Sequence, residues 1–323
     1  MIIRCDLCPK RCMIEPGQSG ECRVRVNLDG RLLAVSYGHP CTVHVDPIEK
    51  KPLFHFLPGT SSLSLATVGC NLHCKNCQNW EISQQNPEEV AASPLPPEKV
   101  PQLAVEHGCA SVSYTYTDPV VYYEYASDSS IYARQAGLRN ALVTAGYINE
   151  QPWRELCRKV DAVRIDLKAL SDTFYQEICG ATLQPVLDSL VIARTLGLHI
   201  EVINLLIPTL NDSDQEIADL CRWLVTHLGR EIPLHFSRFF PNYQMKNLPP
   251  TPAATLLRAR QIARDSGLFY VYLGNILIAD GENTYCPQCG RLVVERRAYK
   301  VLQNHIDKGG CRYCQQQIYG VWQ

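Results

Sequence analysis

Short apolar runs separated by amphipathic stretches recur along the middle of the chain. Leu63–Val68, Ala110–Tyr114, Ala141–Thr144, Ala162–Leu167, His199–Leu206, Leu234–Phe239 and Phe269–Leu273 are rich in branched or aromatic side chains and bounded by Gly, Pro, Asn or Asp. Such runs read as strands. The stretches between them carry helix-start signals. Asp118-Pro119 offers a cap followed by proline at the first helical position, Asp212 or Ser213 can cap the run Gln215–Leu220, and Thr251-Pro252 opens a helix ending near Gly267. Strand and helix alternating at this period predict a parallel sheet with helices outside it. Six or seven such units predict a partial or full (β/α) barrel. In barrels the chemistry sits at the C-terminal ends of the strands. Cys70, Asp118, Asp166, Lys168 and, least clearly, His235 fall at or just past the predicted strand ends.

The cysteines divide this α/β chain into three parts. Residues 1–60 hold Cys5, Cys8, Cys12 and Cys22; residues 61–278 form the barrel; residues 279–323 hold Cys286, Cys289, Cys311 and Cys314. A proline-rich connector, residues 87–101, interrupts the barrel region. The two Cys-x2-Cys knuckles near the C-terminus have the spacing of a zinc ribbon, with an auxiliary iron–sulfur cluster as the alternative. The N-terminal four suit either zinc or an auxiliary [4Fe–4S] cluster with every iron ligated by protein. Cys41, Cys109, Cys157, Cys179 and Cys221 stand singly in apolar or helical surroundings and read as packing residues.

The loop Cys70-x3-Cys74-x2-Cys77 follows the first predicted strand directly. An iron–sulfur cube has four irons, so three thiolates leave one iron open to a small molecule. A Cys3His zinc site that includes His73 is the alternative, disfavoured because His73 and Cys74 are adjacent. Asp166 and Lys168 lie on one face of their strand by alternation, where opposite charges in a barrel mouth are either an ion pair or working groups. Asp118 is a helix cap or an acceptor for an ammonium group. His235 is a core histidine or a site residue. Glu201, Asn204, Asn211 and Asn275 are further pocket candidates.

The hydrophobic content is 46%, the charged content 20% and the net charge −1, ordinary for a globular enzyme and giving no electrostatic reason to expect a nucleic-acid partner. The most apolar long window, Leu190–Pro208, is broken by Arg194, His199 and Glu201 and does not read as a membrane span. The N-terminal residues do not read as a secretory signal, so 16 cysteines in metal-like clusters point to reduced thiols in a cytoplasm.

Together, CDLCPKRC, GQSGECRVR, DPIEKKPLFHFLPGT, GCNLHCKNCQNWEISQ, SYTYTDP, RIDLKAL, LIPTLND, PLHFSRFFPNY, VYLGN, CPQCG and CRYC resemble the radical S-adenosylmethionine (SAM) enzymes of the AmmeMemoRadiSam system, which are similar to pyruvate formate-lyase activating enzymes. The resemblance covers nearly the whole chain. It implies a radical SAM barrel whose [4Fe–4S] cluster is held by Cys70, Cys74 and Cys77. It implies SAM contacts from Thr117, Asp118, Asp166, Lys168 and His235, with Asp118 standing where a glutamate is usual, and, since Asn76 stands where an aromatic residue near the adenine is common, an adenine contact from Trp80 or backbone groups. It implies reductive cleavage of SAM to a 5′-deoxyadenosyl radical that abstracts hydrogen, either from a small molecule or lipid or, in an activase of glycyl-radical enzymes, from a partner protein. It implies an electron donor of flavodoxin or ferredoxin type and association with Memo-like and AmmeCR-type proteins. A non-catalytic, metal-stabilised scaffold is the remaining alternative.

Overall fold

In the computed structural model, which describes residues 1–323, all seven expected strands form and pair in sequence order. They are β2 (Ser61–Ala66), β3 (Ser111–Tyr114), β4 (Arg139–Thr144), β5 (Ala162–Asp166), β6 (His199–Leu206), β7 (Leu234–Arg238) and β8 (Val271–Gly274). Every neighbouring pair among them is parallel. An eighth strand, β1 (Thr42–Pro47), adds antiparallel to β2 at the edge. β1 and β8 do not pair, so the sheet is an open, partial barrel.

Helices α1 (Val100–Glu106), α2 (Tyr123–Gln135), α3 (Glu150–Cys157), α4 (Gln184–Thr195), α5 (Asp214–His227) and α6 (Ala253–Asp265) connect successive parallel strands. Their sequences explain their placement. In α5, Ser213 caps the first turn by accepting from the Glu216 amide at 3.3 Å. Ile217, Leu220, Cys221 and Leu224, spaced by three and four residues, turn one stripe inward. Each leucine buried this way contributes about 1.5–3 kcal/mol. The start expected at Asp118-Pro119 differs: α2 begins five residues beyond Asp118, at Tyr123. Asp118 is held instead in a turn, because its carboxylate is occupied by donors from the next strand, as described below.

Alternation along the strands sorts the barrel interior into two levels. Toward the N-terminal ends lie His199, Glu201 and His235; toward the C-terminal ends lie Asp166, Ile203, Leu205 and Ser237. The lower level is closed by the C-terminal segment. Tyr319 Oη accepts from the Ile200 amide at 2.8 Å, and Val321 exchanges backbone hydrogen bonds with His55 and Leu57. Arg296 is buried there, donating to the Phe54 carbonyl and to Thr284 Oγ1. The cysteine-rich C-terminal segment therefore plugs the end of the barrel opposite to the one expected to carry chemistry.

Candidate functional site

At the C-terminal ends of the strands lies a cleft with an empty volume of about 1450 Å³, its open mouth included. Cys70, Cys74 and Cys77 line it together with Thr117, Asp118, Asp166 and Lys168. The cysteine loop follows β2 and is pinned at several points. The Gly69 amide donates to Ile82 O at 2.8 Å, Gln84 Nε2 donates to Leu72 O at 3.0 Å, and Asn71 Nδ2 donates to Tyr147 O at 2.7 Å. A single π-helical turn, Tyr175–Cys179, closes around the loop's middle. His73 and Lys75 donate their amides to the carbonyls of Cys179 and Ile178 at 2.8 and 2.9 Å. Such turns are rare and gather at functional sites.

His73 does not join the cysteines. Its ring meets Gln84 at 3.0 Å and Glu21 at 3.4 Å, away from the cleft, which corrects the Cys3His alternative. Cys179, read from sequence as a packing residue, reaches Cys74 with its thiol. That contact, with the Lys168 charge and against burial, brings Cys74 down to about 7.

Asp118 sits where β3 turns toward α2. Its Oδ1 accepts from the Val120 amide at 3.1 Å and from Thr144 Oγ1 at 2.8 Å, and its Oδ2 accepts from the Ala145 amide at 2.7 Å. A carboxylate offers about four acceptor positions, so roughly one remains for a ligand. Burial pushes its pKa up against these donors. Thr117 Oγ1 donates to Thr67 O at 2.7 Å and ties this turn to the end of β2.

Asp166 lies between two cations. Arg164 reaches its Oδ1 at 2.8 Å and Lys168 reaches its Oδ2 at 3.2 Å. The Lys168 backbone is clamped: its amide donates to Tyr175 Oη, and its carbonyl accepts from Asn204 and Asn211 at 3.1 and 2.7 Å. Asn204 and Asn211 thus hold the site from behind and do not line the cleft. Asn275 does line it, bonded to Ser237 Oγ at 2.9 Å.

His235 is the clear misplacement. The reading that put it at a strand end fails: in the expected Leu234–Phe239 and in β7 as it forms, His235 is the second residue of the strand, near its start. It is buried on the lower level, 2.7 Å from Glu201 and packed against Phe54 and Tyr272. Trp80 is stacked on Tyr243 with ring centroids 5.2 Å apart and does not line the cleft.

Among the cleft residues that escaped the sequence reading are Arg164, Lys51 and Tyr116. Arg164 had a signal, since it precedes Asp166 by two in an otherwise apolar strand. Lys51 and Tyr116 had none. Both bond Asp46 Oδ2, at 2.6 and 2.5 Å, and the Lys51 ammonium lies 4.2 Å from the Tyr116 ring centroid. Tyr116 adopts a left-handed backbone, φ 66°, to make this contact, a strain that persists only where its surroundings enforce it. Burial lowers Lys51 to about 8 despite Asp46.

Away from the cleft, Cys286, Cys289, Cys311 and Cys314 gather their sulfurs within 4.8 Å of one another and could hold a metal. No helix is long and apolar enough to cross a membrane.

Residues 64–221 match the model of the Radical SAM superfamily. An uncharacterized protein of Methanocaldococcus jannaschii is 45% identical over 318 residues, covering 98% of this chain and 95% of its own length. The pyruvate formate-lyase-activating enzyme of Clostridium pasteurianum is 24% identical over 156 residues, 47% of this chain and 64% of that enzyme. Among solved structures, Streptococcus suis SuiB superposes with a TM-score of 0.53 at 14% identity over 71% of this chain and 52% of its own. A radical SAM methyltransferase from Sphaerobacter thermophilus gives 0.50 at 15% identity over 73% and 71%. The matched segment runs from β2 through the cysteine loop into α5, so the chain carries a domain of the Radical SAM superfamily, whose members are enzymes.

Proposed function

We propose that the cleft reductively cleaves SAM at a [4Fe–4S] cluster held by Cys70, Cys74 and Cys77. Superfamily membership implies both cofactors. The donor set fits the cluster: three thiols face one cleft, the nearby histidine is turned away, and the sulfurs are not gathered as tightly as the C-terminal four. That arrangement carries the proposal, because it leaves a cluster one iron without a protein ligand. Bound together, cluster and SAM would supply a 5′-deoxyadenosyl radical able to take a hydrogen atom from a substrate.

The remaining work belongs to the protein. Asp118, with one acceptor position left, would receive the SAM ammonium. Arg164 and Lys168, held by Asp166 and by the clamped Lys168 backbone, would offer the cationic side to its carboxylate. Thr117 fixes the turn that carries Asp118. The pinned loop keeps the three thiols in register, and the barrel walls exclude water from the reacting centre. The test is anaerobic incubation of the reconstituted enzyme with dithionite and SAM. Formation of 5′-deoxyadenosine supports the proposal, and a fully loaded enzyme that forms none refutes it. Asp118→Asn is expected to weaken SAM binding about 10- to 100-fold, the worth of one charged hydrogen bond. Iron content should be unchanged, as titration of the cluster spectrum with SAM would record.

The strings shared with AmmeMemoRadiSam system enzymes support association with Memo-like and AmmeCR-type proteins and an electron donor of flavodoxin or ferredoxin type. A second reading of the target, hydrogen abstraction from a glycine of a partner protein, is favoured by the likeness to the activating enzyme of C. pasteurianum. A glycyl radical signal on a co-purified partner would select it over a small-molecule or lipid target.

The C-terminal four are read as a zinc site. Cys286–Cys314 and Cys289–Cys311 sulfurs stand 3.6 and 3.8 Å apart. Four thiolates at about 2.3 Å from one zinc lie roughly 3.8 Å from each other. A chelator is expected to release about one zinc per chain and to speed hydrogen exchange across residues 279–323, since such a metal supplies much of a small module's folding energy.

A further inference from the structure

The N-terminal cysteines form the strongest feature that the cleft does not use. Cys5, Cys8, Cys12 and Cys22 all line one cavity, whose empty volume is about 370 Å³ with its open side included. The spacing Cys5-x2-Cys8-x3-Cys12-x9-Cys22 contains a single Cys-x2-Cys, unlike the paired knuckles at the other end of the chain. The two sets also differ in space. The C-terminal sulfurs already stand at tetrahedral spacing, within 4.8 Å of one another, whereas no such gathering occurs among the N-terminal four. Four thiolates around one ion must crowd together; four thiolates on the corners of a cube, each on its own iron, must stand apart around a larger volume. The wall of the cavity suits an anionic group. Arg25 is 6% exposed, lines the cavity, and leaves its Nε buried without a partner, although its other nitrogens are paired with Glu124. Ile14, Val120 and Val121 supply an apolar side.

The cavity adjoins the loop of Cys70 through consecutive residues. Asn71 lines it and leaves its Oδ1 buried without a hydrogen-bond partner. Gly69 packs so closely that a Cβ there would stand 2.5 Å from the Cys22 carbonyl oxygen, and its φ of 92° suits glycine. We infer that Cys5, Cys8, Cys12 and Cys22 hold a second four-iron cluster, ligated by protein at every corner and set against the loop that carries Cys70, Cys74 and Cys77. With no iron open, this cluster does not bind SAM.

Metal and sulfide analysis with Mössbauer spectroscopy on the anaerobically purified full chain tests this. The expected content is about eight irons and eight sulfides per chain, one cube from each site. In the triple variant Cys70→Ala/Cys74→Ala/Cys77→Ala, about half the iron should remain as a cubane signal that added SAM leaves unchanged. In Cys8→Ser/Cys22→Ser the other half should remain, and it should respond to SAM. A triple variant that is folded, holds no iron and carries a second zinc overturns the inference while leaving the reading of the cleft intact. Iron that survives the triple variant and still responds to SAM would instead defeat the reading of the cleft.

Discussion

Cys74→Ala is expected to reduce 5′-deoxyadenosine formation to background, about a thousandfold or more, equivalent to roughly 4 kcal/mol of lost barrier lowering. The effect should exceed that of any SAM-contact variant, because it removes a ligand without which the electron has no route to the sulfonium. Cys74 is also the most embedded of the three in the site's own contacts. The amides on either side of it are fixed to the π-helical turn, and its sulfur meets Cys179 and the Lys168 charge. Alanine preserves those backbone bonds, so the variant should fold and keep the thermal midpoint of the cluster-free protein. Cys179→Ala is the matched control. It removes the thiol that touches Cys74 but no proposed ligand, so the cluster should assemble and SAM should still be cleaved. Cys109→Ala and Cys221→Ala, both buried among helices and strands, should leave the product yield unchanged. Product measured by chromatography after a single anaerobic turnover decides the matter, and a Cys74→Ala enzyme that still forms it refutes the ligand assignment.

Most of the sheet was legible because parallel strands buried on both faces write continuous apolar runs between polar punctuation. The strand that escaped, Thr42–Pro47, is antiparallel, sits at the edge and is half exposed, so Thr42-Val43-His44-Val45-Asp46-Pro47 carries no such run. The cleft was legible wherever its residues are local to a strand end: three cysteines on one loop, Asp118 on one turn, Asp166 and Lys168 on one face. It was illegible where the partner arrives from elsewhere in the chain. Asp46, Lys51 and Tyr116 meet only because β1 folds beside β2 and Tyr116 turns left-handed. Cys179 meets Cys74 only through the π-helical turn. His235 shows a different failure: its strand was read to within one residue of its end, but as the second residue of β7 its side chain belongs to the floor of the barrel and not to the mouth.

The floor itself is expected to be the most fragile part of the molecule outside the metal sites, and Glu201→Ala exposes it. The Glu201 carboxylate is fully buried and accepts from the His55 amide at 2.7 Å, His199 Nε2 at 3.0 Å and His235 Nε2 at 2.7 Å. These donors hold it well below the usual carboxylate range despite burial. His55 continues the network to the Tyr319 carbonyl and to Tyr272 Oη. Removing the acceptor strands three buried donors at once, and breaking such a buried charged network costs about 3–5 kcal/mol. Because the same donors anchor Tyr319 and Val321, the loss should appear first as faster hydrogen exchange at the Val321 amide and in the C-terminal segment, with the cleft affected later. Acid should imitate the variant. Burial lowers His55 to about 3 and lowers His235 as well, so the unfolded chain binds protons below about pH 6.5 that the folded chain refuses. Stability contributed by neutral histidines is therefore present above pH 6.5 and lost as pH falls toward 3. His55 alone accounts for about 2 kcal/mol between pH 7 and pH 5. Glu201 adds a further loss below its unfolded value near 4.5. Urea unfolding of the anaerobic protein at pH 7 and pH 5 measures the slope. A midpoint that does not move, or a Glu201→Ala protein as stable as its parent, would mean that the floor is held by packing of Phe54, Phe56 and Tyr272 rather than by the carboxylate.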